Sequence, residues 1–180
     1  MITVRPYDDM TALPVFQLLD PMDQIEADLV RGSSSTAVQL WADWRAVQAY
    51  RLMSFVALTA GQTPFAVFGL AHTGQAGVAG AALLARDHVR YRRELVHLVR
   101  MIRTHLAPEC AARGIHRIEA RAWADHPRAG NLLRALGFAH ECDMPGFGLT
   151  GQIIYRQFAW LAAANPAPAC AFSPDPSQRT

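Results

Sequence analysis

Arginine supplies the densest concentration of chemically capable side chains in this 180-residue sequence. Arg86, Arg90, Arg92, Arg93, Arg100 and Arg103 lie close together, offset only by Asp87 and Glu94. A guanidinium is permanently charged and presents a planar fork of donors to carboxylate or phosphate. The cluster therefore suits a solvated helix face, a surface docking carboxylates of neighbouring protein chains, or a phosphate site. The seven histidines are the groups that titrate near neutrality, but they are scattered. None stands beside a cysteine or carboxylate at a zinc-like spacing, so no metal site is expected. Cys110, Cys142 and Cys170 are odd in number and lack C-x-x-C spacing, which suits reduced thiols.

The rest of the composition narrows the chemistry. All 17 basic residues are arginines, which removes a Schiff-base lysine, a lysine base and the Walker phosphate lysine. A net charge of +2 and the lack of aromatic residues interleaved with a basic motif disfavour nucleic-acid binding. No apolar stretch approaches the roughly 20 residues of a membrane span, and the N-terminus lacks a signal-peptide pattern. No membrane partner is expected.

Periodicity places these residues on elements. Residues 2–5 read as a strand, and Asp8 or Asp9 opens a helix to about residue 19. Asp20-Pro21 opens a second helix, stopped by Gly32. After a cap among Ser33-Ser34-Ser35, residues 36–51 read as a third helix, its tryptophans core-facing. Residues 54–60, 64–71 and 78–85 read as consecutive antiparallel strands, the first two joined by Gly61-Gln62-Thr63. A long helix follows over 91–113, with Pro108 a potential kink and Gly114 the stop. Residues 115–123 form a strand, Asp125 caps a helix ending at Leu136 before Gly137, and 138–142 and 152–160 close the sheet around Pro145-Gly146-Phe147-Gly148. The Ala/Pro-rich residues 162–180 read as an extended arm after a domain at 1–161.

This succession, with Arg117-Ile118-Glu119-Ala120 and the block Ala129-Gly130-Asn131-Leu132-Leu133-Arg134-Ala135-Leu136-Gly137-Phe138, resembles the GCN5-related N-acetyltransferase (GNAT) family. The resemblance implies an α/β (α+β) fold with a mixed, centrally splayed sheet flanked by helices. It implies acetyl-CoA between the fourth and fifth strands, its pyrophosphate on backbone N–H groups of a glycine-rich loop opening the long helix. Here that loop is Ala85-Arg86-Asp87-His88-Val89-Arg90-Tyr91-Arg92-Arg93, without glycine, so Arg86, Arg90, Arg92 and Arg93 are the candidate phosphate contacts. The family's frequent tyrosine acid falls at Leu133, its asparagine before that helix at His126. Residues 55–85 contain no carboxylate to serve as base, which leaves His72, His88 or water.

Within that fold the chain resembles the degenerate internal virion protein A group of short-tailed phages, through Leu19-Asp20-Pro21-Met22-Asp23-Gln24-Ile25-Glu26-Ala27, the Phe65–Gly69 strand and the glycine-poor loop. This implies a particle component in the virion or the bacterial host cytoplasm, leaning away from catalysis and needing no cofactor. Its partners are other protein chains, copies of itself included, met through Arg86, Arg90, Arg93, Pro166, Pro168, Phe172 and Pro174. The alternative is an acetyl-CoA-dependent N-acetyltransferase. A weaker one is a nucleic-acid-associated module.

Overall fold

Seven strands form one sheet: β1 (Ile2–Pro6), β2 (Arg51–Thr59), β3 (Pro64–His72), β4 (Val78–Ala85), β5 (Arg117–Trp123), β6 (Ala139–Phe147) and β7 (Ile153–Leu161), in the order β1-β2-β3-β4-β5-β7-β6. The computed structural model describes residues 1–164. The expected arm contacts at Pro166, Pro168, Phe172 and Pro174 fall outside the described residues. Helices α1 (Asp9–Gln17), α2 (Pro21–Arg31) and α3 (Ala37–Ala46) lie between β1 and β2, α4 (Arg92–Ala112) between β4 and β5, and α5 (Ala129–Ala135) between β5 and β6. The mixed, helix-flanked sheet is the expected fold class. β4 and β5 are parallel, and the other neighbouring pairs are antiparallel. A parallel pair needs a long crossover, and α4 provides it. No described helix is long and apolar enough to cross a membrane.

Local chemistry sets the helix limits. Asp8 Oδ1 accepts the Thr11 N–H at 2.9 Å to open α1, and Asp20 Oδ1 accepts the Met22 N–H at 2.9 Å to open α2. Gly32 ends α2 in the left-handed region at φ 72°. The third helix departs from expectation at both ends. Its cap is Thr36, through a reciprocal capping box with Gln39, rather than a preceding serine. It stops at Ala46, and a one-turn 3₁₀ helix (Gln48–Tyr50) delivers Arg51 directly into β2. Pro108 sits inside a continuous α4. The last hairpin turns later than expected, because Gly146 and Phe147 still belong to β6 and the tip falls around Gly148 and Gly151.

The two sheet faces carry separate cores. On one, Ile118, Ala120, Ala122, Phe158 and Trp160 bury against Leu136, Phe138 and the inner side of α4. On the other, Val15, Phe16 and Leu40 cover Val56 and Val67, with Trp41 and Trp44 packed at the edge. Cys110 is fully buried, and burial pushes its thiol up to about 11, so it serves as a small apolar group.

Gly69 in β3 marks a close approach. A Cβ there would lie 2.5 Å from the Met53 carbonyl oxygen and 3.1 Å from Ser54 Cα, both backbone atoms that cannot swing aside. Gly69→Ala is expected to cost about 1–3 kcal/mol, read as a lower urea midpoint with unchanged slope. An unchanged midpoint would contradict this packing.

Candidate functional site

The strands that define the site are β4 and β5. They are in register only at Val78↔Arg117, Ala79↔Ile118 and Gly80↔Glu119, and beyond Gly80 they part. Ala82 is consequently exposed in the middle of a central strand. The gap opens into a cleft of about 1730 Å³ whose walls include Val99 and Ile102 of α4 and Leu132 and Leu133 of α5.

Helix α2 wedges the open end. Ala85, the last residue of β4, turns its polar groups to α2 and not to a β5 partner. Its C=O accepts the Asp20 N–H at 2.9 Å, and its N–H donates to Asp23 Oδ2 at 2.9 Å. Across the gap, the Trp123 N–H at the end of β5 donates to Glu26 Oε1 at 2.9 Å. Asp20, Asp23 and Glu26 recur at helical spacing, so one stripe of α2 satisfies the backbone of both diverging strands. By the alternation of a strand, Ala81 and Leu83 present their N–H and C=O to the same gap as Ala85.

Asp23 is the hub. Besides Ala85 it meets His88 Nε2 at 3.3 Å and His126 Nε2 at 3.2 Å, and all three residues are buried. Burial works against its charge, but the donors from His126, His88 and Ala85 outweigh it and hold the carboxyl below its ordinary value. For His88, burial opposes the charged ring, while Asp23 and then Asp20 favour it more strongly, so its pKa is raised. Glu26 lies closer to neutrality. Burial raises its pKa and Asp23 adds to that, against the Trp123 N–H and His126.

The sequence candidates separate in space. Arg90, Arg92 and Arg93 are exposed and line the cleft with His88. Arg86 does not. A bridge between Leu19 and Arg86 continues the strand register, and the guanidinium donates to the Pro64 carbonyl at 2.8 Å and lies against Tyr91. Its side chain thus lies apart from the three arginines of the cleft. His72 is exposed at the end of β3 and outside the cleft, because β3 carries it past the parting of the strands. It is therefore no candidate base. His88 reaches the cleft with its Nε2 engaged by Asp23 and its backbone N–H by Asp20, so the ring is anchored at the cleft wall. Glu26 escapes a search confined to the strands, yet its position three residues after Asp23 signals a shared helix face.

His126 corrects the expected cap of α5. Its Nδ1 accepts N–H bonds from Arg128 at 3.2 Å and Ala129 at 2.9 Å, in the role assigned to Asp125. This also decides whether the cluster suits a cation. Ligand-type atoms of Asp23, His88 and His126 lie within 4.8 Å of one another, a convergence that spacing along the chain does not foresee. With Nδ1 accepting two bonds, however, the proton of a neutral ring resides on Nε2 and is donated to Asp23. That nitrogen has no lone pair to offer a metal. The cluster is a hydrogen-bonded charge network.

The acyl-CoA implied by the resemblance fits through side chains. The N–H groups of Val89 and Arg90 turn back onto Asp87 Oδ1 at 3.2 and 2.9 Å, so they form no open backbone cradle. The apolar walls and the strand edge at Ala81 and Leu83 suit a thioester arm, and Arg90, Arg92 and Arg93 suit its phosphates.

No protein-family model and no curated protein matches the chain in sequence. Solved structures do match it. The spermidine N-acetyltransferase from Vibrio cholerae in complex with CoA and spermine superposes with a TM-score of 0.67 at 14% identity, covering 91% of this chain and 97% of that one. The ribosomal-protein-S18-alanine N-acetyltransferase from Escherichia coli gives 0.63 at 17% identity, over 96% and 100%. A GNAT superfamily phosphinothricin acetyltransferase from Sinorhizobium meliloti in complex with AcCoA gives 0.63 at 15%, over 99% of both. The chain has the GNAT fold. Nothing in these likenesses supports the resemblance to phage internal virion proteins.

Proposed function

We propose that this GNAT-fold chain is an acetyl-CoA-dependent N-acetyltransferase. The observation that carries the proposal is the parting of β4 and β5 after Gly80 into an apolar cleft with Arg90, Arg92 and Arg93 along it. Acetyl-CoA, when bound, supplies an activated acetyl thioester. The three arginines hold its phosphates, and the edge of β4 at Ala81 and Leu83 aligns the arm. Glu26 takes the proton of the acceptor amine: one of its oxygens is fixed by Trp123, and burial raises its proton affinity. Leu133 provides no hydroxyl, so α5 contributes no proton donor at the tyrosine position.

Calorimetric titration of the full chain with acetyl-CoA tests this. Micromolar binding is expected, weakened about tenfold for each of Arg90→Ala and Arg93→Ala and weakened further by salt. Absence of binding at millimolar ligand would overturn the proposal and favour a structural role for the domain.

A further inference from the structure

We propose that Asp23 and His88 are positioning residues that lock the glycine-free loop before α4 against α2, so that acetyl-CoA affinity depends on the charge of His88. The cofactor half of this inference rests on the acetyltransferase proposal; the lock itself does not.

The loop is held by α2 at successive positions. Asp20 Oδ2 accepts the His88 N–H at 2.7 Å, while the other oxygen of the same carboxylate caps α2. Asp23 holds Ala85 by its N–H and His88 by its ring. The Arg86 N–H, between them, donates to the Phe65 carbonyl at 2.8 Å. Through His126 the same Asp23 carboxylate also reaches the start of α5. One buried group thus joins three walls of the cleft: α2, the loop before α4 and the turn before α5. A glycine cradle shapes its loop through backbone freedom; here buried side chains do so.

The lock is tightest with a protonated ring. His88 Nε2 is hydrogen-bonded to Asp23 at 3.3 Å, while the buried Nδ1 lies 3.5 Å from Asp20 Oδ2 without a hydrogen-bond partner, so a proton on Nδ1 places a cation between two carboxylates. The charged and titratable groups around it are Asp20, Asp23 and Glu26 from α2, His126 and Arg128 from the turn before α5, and Arg86, Asp87 and Arg90 from its own loop. Arg128 opposes the imidazolium, but the carboxylates prevail. The His126 ring does not take its place: its Nδ1 accepts the Arg128 and Ala129 N–H groups, so it meets Asp23 through Nε2 alone. When His88 loses its proton, Asp20 and Asp23 face each other without a cation, and the Nδ1 lone pair points toward a carboxylate. Loop order is therefore coupled to protonation at His88.

Two measurements on the full chain test this. In calorimetric titrations with acetyl-CoA between about pH 6 and pH 9, wild-type affinity is expected to fall about tenfold as pH rises, whereas His88→Gln binds more weakly with a flat profile. Ionisation of the cofactor phosphates acts in the opposite direction, so a rise in wild-type affinity, or an equal slope in His88→Gln, would overturn the coupling. Independently of any cofactor, imidazole NMR should show His88 titrating above the ordinary histidine value. Amide exchange should show protection of residues 85–91 falling at least tenfold in Asp23→Asn after correction for intrinsic rates. Ordinary titration of His88 with unchanged protection would overturn the lock even where acetyl-CoA binds. Failure of acetyl-CoA to bind at every pH, with both signatures present, would instead overturn the acetyltransferase proposal and leave the lock standing.

Discussion

Glu26→Gln is expected to lower turnover by roughly 10²–10⁴-fold while leaving acetyl-CoA affinity within about twofold. The substitution separates chemistry from scaffolding. Glutamine keeps an oxygen that can accept the Trp123 N–H, the bond that ties α2 to the end of β5, so the wedge and the cleft survive. What disappears is a basic oxygen. The other acids along the cleft do not replace it. Asp23 is surrounded by three donors and Asp43 is paired with Arg31, while Glu94 stands on the first turn of α4 beside Arg92 and Arg93. The assay compares both proteins with any amine acceptor that wild type turns over, following CoA release across pH. Wild type should lose rate on the acid side as Glu26 becomes protonated, at a pH above that of an ordinary glutamate because burial raises its pKa. The variant should lack that limb. Equal rates with a retained acid limb would remove Glu26 from the chemistry and confine it to holding Trp123.

Much of the scaffold is legible from local signals. Asp20-Pro21 and Gly32 frame α2 because cap, first-turn proline and left-handed glycine each act within a few residues. The block from Ala129 to Phe138 marks the return from α5 to the sheet in the same way. The candidate site is less legible because its contacts are long-range: Asp23 meets His88 and His126 across 65 and 103 residues of chain. No spacing rule connects such residues, and only the parting of β4 and β5 gives them a common place. The exchange of Asp125 for His126 as cap of α5 has the same origin. A histidine is an unusual cap, chosen here because its other nitrogen is already fixed by Asp23. The arginine run illustrates the opposite error. Its members look equivalent in sequence, yet Arg86, directly after β4, is captured by the carbonyl of Pro64 at the start of β3, whereas Arg90, Arg92 and Arg93 lie farther along and reach the cleft.

Asp23→Ala should cost about 3–5 kcal/mol of folding stability, with Asp23→Asn costing less. The alanine leaves the Ala85 N–H and the ring N–H groups of His88 and His126 without their acceptor inside the protein. It also leaves Asp20 alone to balance His88. The pH dependence follows from two opposed shifts. Asp23 is held below its ordinary 3.8, so its contribution is complete above that value and is lost as pH falls through its lower folded pKa. His88 is held above its ordinary 6.5, so its contribution is complete below that value and is lost as pH rises through its higher folded pKa. The cluster therefore stabilises the domain most between about pH 4 and pH 6.5, and weakens on both sides. Glu26 acts differently: with its pKa raised, its ionisation costs stability as pH rises above its ordinary value, which tilts that plateau downward toward neutrality. Urea unfolding of wild type, Asp23→Ala and His88→Gln across this range separates the contributions. Asp23→Ala should flatten the acid arm and shrink the alkaline one, and His88→Gln should remove the His88 contribution to the alkaline arm and shrink the acid one, because His88 helps to hold the Asp23 carboxyl low. A loss below about 1 kcal/mol in Asp23→Ala, within the range of an exposed ion pair, would mean that the hub carries no more weight than a surface contact, and that α2 is held in the strand gap by packing.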